Sequence, residues 1–143
     1  MKAALVALSL VCSSAIAQVP AVPTNVTAVQ TLGYWQQDGR SGTYRVITTT
    51  EGWEHVWSRV FVEWLPEPAS RDDPAPAAHA VELELPVAQG TTLVEATAVR
   101  RKVGAIEIKL VTQSNQVVQA KSRTFVFLAT SPGVIKPVRS AKQ

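Results

Sequence analysis

The stretch Trp53-Glu54-His55-Val56-Trp57-Ser58-Arg59-Val60-Phe61-Val62-Glu63-Trp64-Leu65 decides how this chain is read. It is rich in aromatic and β-branched residues, has no Gly or Pro inside, and is stopped by Pro66. That is the pattern of a central β-strand. A strand sends alternate side chains to opposite faces, so Val56, Ser58, Val60, Val62 and Trp64 share one face and are expected in the core. Trp53, His55, Trp57, Arg59, Phe61 and Glu63 share the other, an amphipathic aromatic face and the one hint of a function.

Upstream of this strand, Val26 to Gln36 reads as a first strand, residues 37–42 (Gln-Asp-Gly-Arg-Ser-Gly) as a turn, and Thr43 to Thr50 as a second strand. Glu51-Gly52 is a tight connection, which makes the second and third strands a hairpin. Downstream, residues 66–78 hold Pro66, Pro68, Pro74 and Pro76 around Arg71-Asp72-Asp73. Neither ladder nor helix tolerates that density of missing donors, so this is a surface loop, and its length suits a crossover between two sheets, with a functional loop as the alternative. Alternation then becomes regular over 81–87, 91–100, 105–112 and 116–128, four strands with short turns that form an antiparallel meander. Val118 and Ala120 lie on one parity and Phe125 and Phe127 on the other, which predicts a β-bulge near Ser122 to Thr124.

About seven strands and few or no helices after the leader describe an all-β domain, an immunoglobulin-like antiparallel sandwich, with a small closed barrel as the alternative. The domain extends over 25–130, preceded by a Pro-containing segment 18–24 and followed by a basic tail 131–143.

Met1-Lys2, the apolar run Ala3 to Cys12 and the small-x-small triplet Ala15-Ile16-Ala17 have the order of a secretory signal peptide over 1–17, with cleavage after Ala17. The expected product is periplasmic or secreted. Cys12 lacks the small residue that should precede a lipidated cysteine. The run is too short for a transmembrane helix, and no later stretch reaches the roughly 20 apolar residues that spanning requires. Cleavage leaves 126 residues, one domain's worth, with no cysteine and hence no disulfide. It also leaves 13 basic residues against 11 acidic. So mild a balance, spread over Arg100-Arg101-Lys102 and the tail, does not argue for nucleic acid.

No motif for catalysis stands out. His55 and His79 are separated by the proline loop and no cysteine joins them, so neither a metal site nor a metal cofactor is expected. Ser58 and Ser114 sit in no Gly-x-Ser-x-Gly elbow. Glu82 and Glu84, two apart on a strand, read as its solvent face rather than as glycosidase carboxylates. Glycines are scattered over turns rather than opening a helix for phosphate. Asn25-Val26-Thr27 has the glycosylation pattern, which matters only in a eukaryotic secretory pathway.

The aromatic face remains. Trp53 and Trp57 stand about 13 Å apart on a strand, with His55 between them and Arg59 and Phe61 beyond. Flat rings on an open sheet face anchor protein partners or stack on sugars. The expectation is a non-enzymatic exported binding or accessory protein of the cell envelope. Trp53, His55, Trp57, Arg59 and Phe61 would meet a protein partner. A carbohydrate-binding domain or small carbohydrate-active hydrolase is the alternative.

Overall fold

The computed structural model describes residues 22–52, 56–68, 70, 72, 79–85, 91–101, 104–114 and 122–142. They form β1 (Val26–Gln37), β2 (Arg40–Glu51), β3 (Trp57–Pro66), β4 (His79–Glu82), β5 (Thr91–Arg100), β6 (Ile106–Ser114), β7 (Ser122–Ala129) and β8 (Ile135–Lys142). No helix occurs among the described residues. Two separate four-stranded sheets result, ordered β1-β2-β3-β4 and β5-β6-β7-β8, with every pairing antiparallel.

Local chemistry explains the hairpins. Between β1 and β2 the two-residue loop Asp38-Gly39 has φ of 50° and 73°. Positive φ at both central residues is the type I′ turn, whose twist matches that of paired strands. Nothing stands within 4 Å of a Cβ built at Gly39, so the glycine serves the backbone angle and not a tight space. Further back in β1 the register shifts between Leu32 and Trp35, with Gly33 at φ 69° in the irregularity. The bulge turns the Trp35 ring inward, where it is buried.

The parity read from the central strand holds where β3 pairs: Val60, Val62 and Trp64 are fully buried. They join Tyr44 and Val46 of β2 in one cluster with Ile106, Ile108 and Leu110 of β6 and Phe125, Phe127 and Ala129 of β7. The inner faces of both sheets therefore share one core. Along one flank the sheets are stitched by Gln30: its Nε2 donates to the Ala96 carbonyl at 2.7 Å and its Oε1 accepts from the Ala98 N–H at 3.0 Å. A side-chain amide here takes the place of a strand peptide between β1 and β5.

Several expectations need correction. Eight strands are present among the described residues, against about seven expected, and each sheet follows chain order. That departs from the interleaved Greek-key order of an immunoglobulin domain. Nor are the strands closed into one barrel. The proline-rich region is no crossover, because His79 pairs with Trp64 and β4 rejoins the sheet that β3 left. The passage between sheets follows β4. Alternation of apolar and acidic residues at 79–85 suits the edge of either sheet, so parity could not choose between them. No bulge occurs at 122–124: β6 and β7 pair without interruption from Gln113↔Ser122 to Ile106↔Ala129. The shift lies instead between β7 and β8, at Val126/Phe127. Val118 and Ala120, on which that expectation rested, lie outside the described residues, as do residues 1–21. Finally, most of the presumed tail is β8, an edge strand that tolerates the missing donor of Pro137. Val56, assigned to the core, lies before β3 and is 40% exposed.

Candidate functional site

Register places Trp57, Arg59 and Phe61 in a row on the outward face of the first sheet, opposite Glu51, Thr49 and Ile47 of β2. Phe61 also pairs with Glu82 of β4. Trp57 is 50% exposed, while Arg59 and Phe61 are half-buried. Trp53 and His55 lie outside the described residues.

Arg59 is the centre of this face. Its guanidinium lies 4.9 Å from the centroid of the Phe61 ring, within cation–π range. Nε donates to Glu82 Oε1 at 2.7 Å and Nη2 to Oε2 at 2.5 Å, a bidentate fork, while Nη1 reaches Glu51 Oε1 at 3.3 Å. Those hydrogen bonds from Arg59 hold the Glu82 carboxyl below the usual carboxylate range. The Glu82 contact in turn raises the Arg59 guanidinium above its already high value. Arg45 and Glu63 form a second pair on the same face. The long Arg59 side chain is therefore held in one orientation over an aromatic ring.

The face is wider than the central strand alone suggested. Val29 of β1 pairs with Ile47, and Ile47 pairs with Phe61, so an apolar row crosses three strands and ends at Glu82 on the fourth. Val29 is 52% exposed. Sequence reasoning missed Val29 and Ile47: parity relative to the buried Val46 marks Ile47 as outward, whereas the side taken by Val29 follows from its pairing with Ile47.

A second feature is a cleft of about 720 Å³ at one end of the sheets, where Asp38, Arg40 and His79 stand near Trp35 and Trp64. Its two indoles are not available to a ligand: Trp35 Nε1 donates to the Thr43 carbonyl at 3.2 Å and Trp64 Nε1 to the Thr130 carbonyl at 3.1 Å. Both rings are at most 3% exposed, which leaves no stacking platform. The His79 ring meets Trp64 edge-on at 5.9 Å. The described lining supplies no Ser, Thr, Cys or Lys to act as a nucleophile beside His79. Glu82 is engaged by Arg59 on the outer face and does not converge on this cleft.

Among the described residues no group of three or more His, Cys, Asp or Glu could hold a metal ion. No helix among them is long and apolar enough to cross a membrane. No protein-family model matches the chain, and no curated protein or solved structure is found to be similar to it.

Proposed function

We propose that this is an exported, non-enzymatic binding or accessory protein of the cell envelope, released after Ala17, whose two sheets form a β-sandwich. It meets a protein partner with the outward face of the first sheet. The observation that carries the reading is Trp57, a large indole left half open beside an Arg59 already fixed over Phe61. Trp and Arg are the residues enriched at binding hot spots, and side chains held in place beforehand lose less entropy on binding. The ion pairs of Arg59 with Glu51 and Glu82 set one cation against two carboxylates, so part of the charge at the centre of the face is already compensated.

A glycan is the second reading, favoured by the same open Trp57 ring, since a flat aromatic ring can stack on a sugar. The test is capture from an envelope extract with the immobilised protein, beside Trp57→Ala and Arg59→Ala variants. A protein retained by the parent and lost with Trp57→Ala, a change expected to remove about 2 kcal/mol of binding, supports the reading. Retention by all three variants excludes this face. Soluble oligosaccharides that elute the captured material would select the glycan. Intact mass of the exported product, expected to begin at Gln18, tests the localisation.

A further inference from the structure

We propose that the flank between β4 and β8 is a self-association surface, which a second copy of this chain closes by pairing its β8 to β4 and its β4 to β8. The two flanks of the molecule differ. On one, the Gln30 amide bridges β1 to β5. On the other, β4 and β8 are edge strands among the described residues, with an apolar groove of about 660 Å³ between them. Val81, Leu83 and Leu85 line one side, and Phe125, Phe127 and Ile135 the other.

Charge selects the occupant. Residues 79–85, His-Ala-Val-Glu-Leu-Glu-Leu, carry Glu82 and Glu84 and no Lys or Arg, while β8, Ile-Lys-Pro-Val-Arg-Ser-Ala-Lys, carries three basic residues and no acid. Glu82 is held by Arg59 within its own sheet, so Glu84 is the acid that this edge offers to a partner. Glu82, Glu84 and Lys136 are exposed. Charged edge residues usually guard a sheet against self-pairing, and they do so by setting like against like. Here the two edges of one molecule are opposite in sign. Pairing β4 with a second β4, or β8 with a second β8, is opposed, whereas β4 with the other copy's β8 is favoured.

Geometry then fixes the symmetry. A Cβ at Gly133, just before β8, would lie 2.7 Å from His79 Nε2 at the start of β4. Leu85 and Phe125 line the same groove, and Phe125 pairs with Ser140 near the end of β8. The two edge strands therefore run in the same direction along the groove. A two-fold axis across the groove would oppose β4 to β4 and β8 to β8. A two-fold axis along the strands brings each β4 beside the partner's β8, in parallel, and closes both seams at once. The pairing joins each first sheet to the partner's second sheet and covers the groove from both sides. Pro137 withholds one donor from β8, so the rungs come from the residues around it.

The test is the molar mass of the purified protein by light scattering on size exclusion, across concentration and at low and high salt. The expected result is a dimer whose dissociation constant rises with salt, as exposed charge pairs require. Glu84→Lys alone and Lys136→Glu alone each weaken dimerisation about tenfold or more, and the two together in one chain restore it. Circular dichroism of each variant confirms that the fold is kept. A monomer at every concentration, or a dimer indifferent to the reversals and not rescued by the pair, overturns the proposal.

Discussion

Tyr44 and Trp64 are cross-strand partners that reach for the same acceptor, the carbonyl of Thr130. Their rings lie 6.0 Å apart at 58°, and the Tyr44 hydroxyl also stands 2.6 Å from the Gly104 carbonyl. One hydroxyl proton serves two carbonyls, so the Tyr44 contact is shared between the connection that precedes β6 and the turn that follows β7. This ties the centre of the first sheet to two turns of the second. Tyr44→Phe keeps the ring and removes the donor, and is expected to cost about 1–3 kcal/mol, the penalty for leaving buried acceptors unmatched. Urea unfolding checks it: the midpoint should fall with the slope unchanged.

Alkali should unfold the protein through the same hydroxyl. Burial pushes the Tyr44 phenol up to about 12 from its ordinary value of 10.0. The folded state thus holds its proton at pH values where the unfolded state has released it. The resulting stability is fully present below pH 10 and is lost as pH rises towards 12. Midpoints measured across that range should decline more steeply for the parent than for Tyr44→Phe, and equal slopes would assign the alkaline loss to other groups.

How much of this was legible follows from what each element answers to. Val60, Val62 and Trp64 were placed in the core, and Trp57, Arg59 and Phe61 outside it, because parity within a strand is a local property. The β1–β2 turn is signalled over residues 37–42, but strand pairing narrows it to Asp38-Gly39, with β2 beginning at Arg40 rather than Thr43. Which sheet a strand joins is decided by partners far away in the chain, so the alternation at Val81 and Glu82 suits the later meander as well as the β3 edge with which it pairs. β8 was hidden by Lys136, Pro137 and Arg139, which look like a tail and in fact suit an edge. The fork from Arg59 to Glu82 joins residues 23 apart and depends on β4 lying beside β3. Tyr44, whose hydroxyl bridges two turns of the second sheet, gives no sign beyond its place in an alternating run.

Large-to-small changes along β3 should follow the observed burial. Val60→Ala leaves a cavity in a fully buried position and is expected to cost about 1–3 kcal/mol, and Trp64→Ala, which also releases the Thr130 carbonyl, about 3–5 kcal/mol. Val56→Ala, at a site 40% exposed before the strand begins, should stay within about 0.5 kcal/mol. Thermal melts of the three variants rank them. A cost at Val56 equal to that at Val60 would return Val56 to the core.

Two glycines with nearly the same backbone angle should respond differently to Ala. Gly33 and Gly39 have φ of 69° and 73°, so each substitution carries left-handed strain of about 1–2 kcal/mol. A Cβ at Gly39 meets nothing, whereas at Gly33 it would stand 2.8 Å from Ile106 Cγ2 and 3.3 Å from Tyr44 Cδ2. Gly33→Ala must therefore displace buried core as well. It should be clearly the more destabilising of the two in denaturant titration, and equal costs would mean that the bulge yields freely.

The last prediction separates the docking face from the core by acid titration and quenching. The bidentate contact from Arg59 holds the Glu82 carboxyl below its ordinary value, so the pair contributes above the usual carboxylate range and its contribution is lost as pH falls through the depressed value. Arg59→Lys keeps the charge but not the planar fork, and the Glu82 titration followed by NMR should move up towards the ordinary carboxylate value while the fold is retained. Release of Arg59 from its stacked position should leave Trp57 as open to acrylamide as before, because half of that indole already faces solvent. Trp64 and Trp35 should stay shielded throughout. A Trp57 signal as protected as that of Trp64, in variants that retain one tryptophan each, would mean that another part of the chain covers the face, and binding through it would lose its anchor.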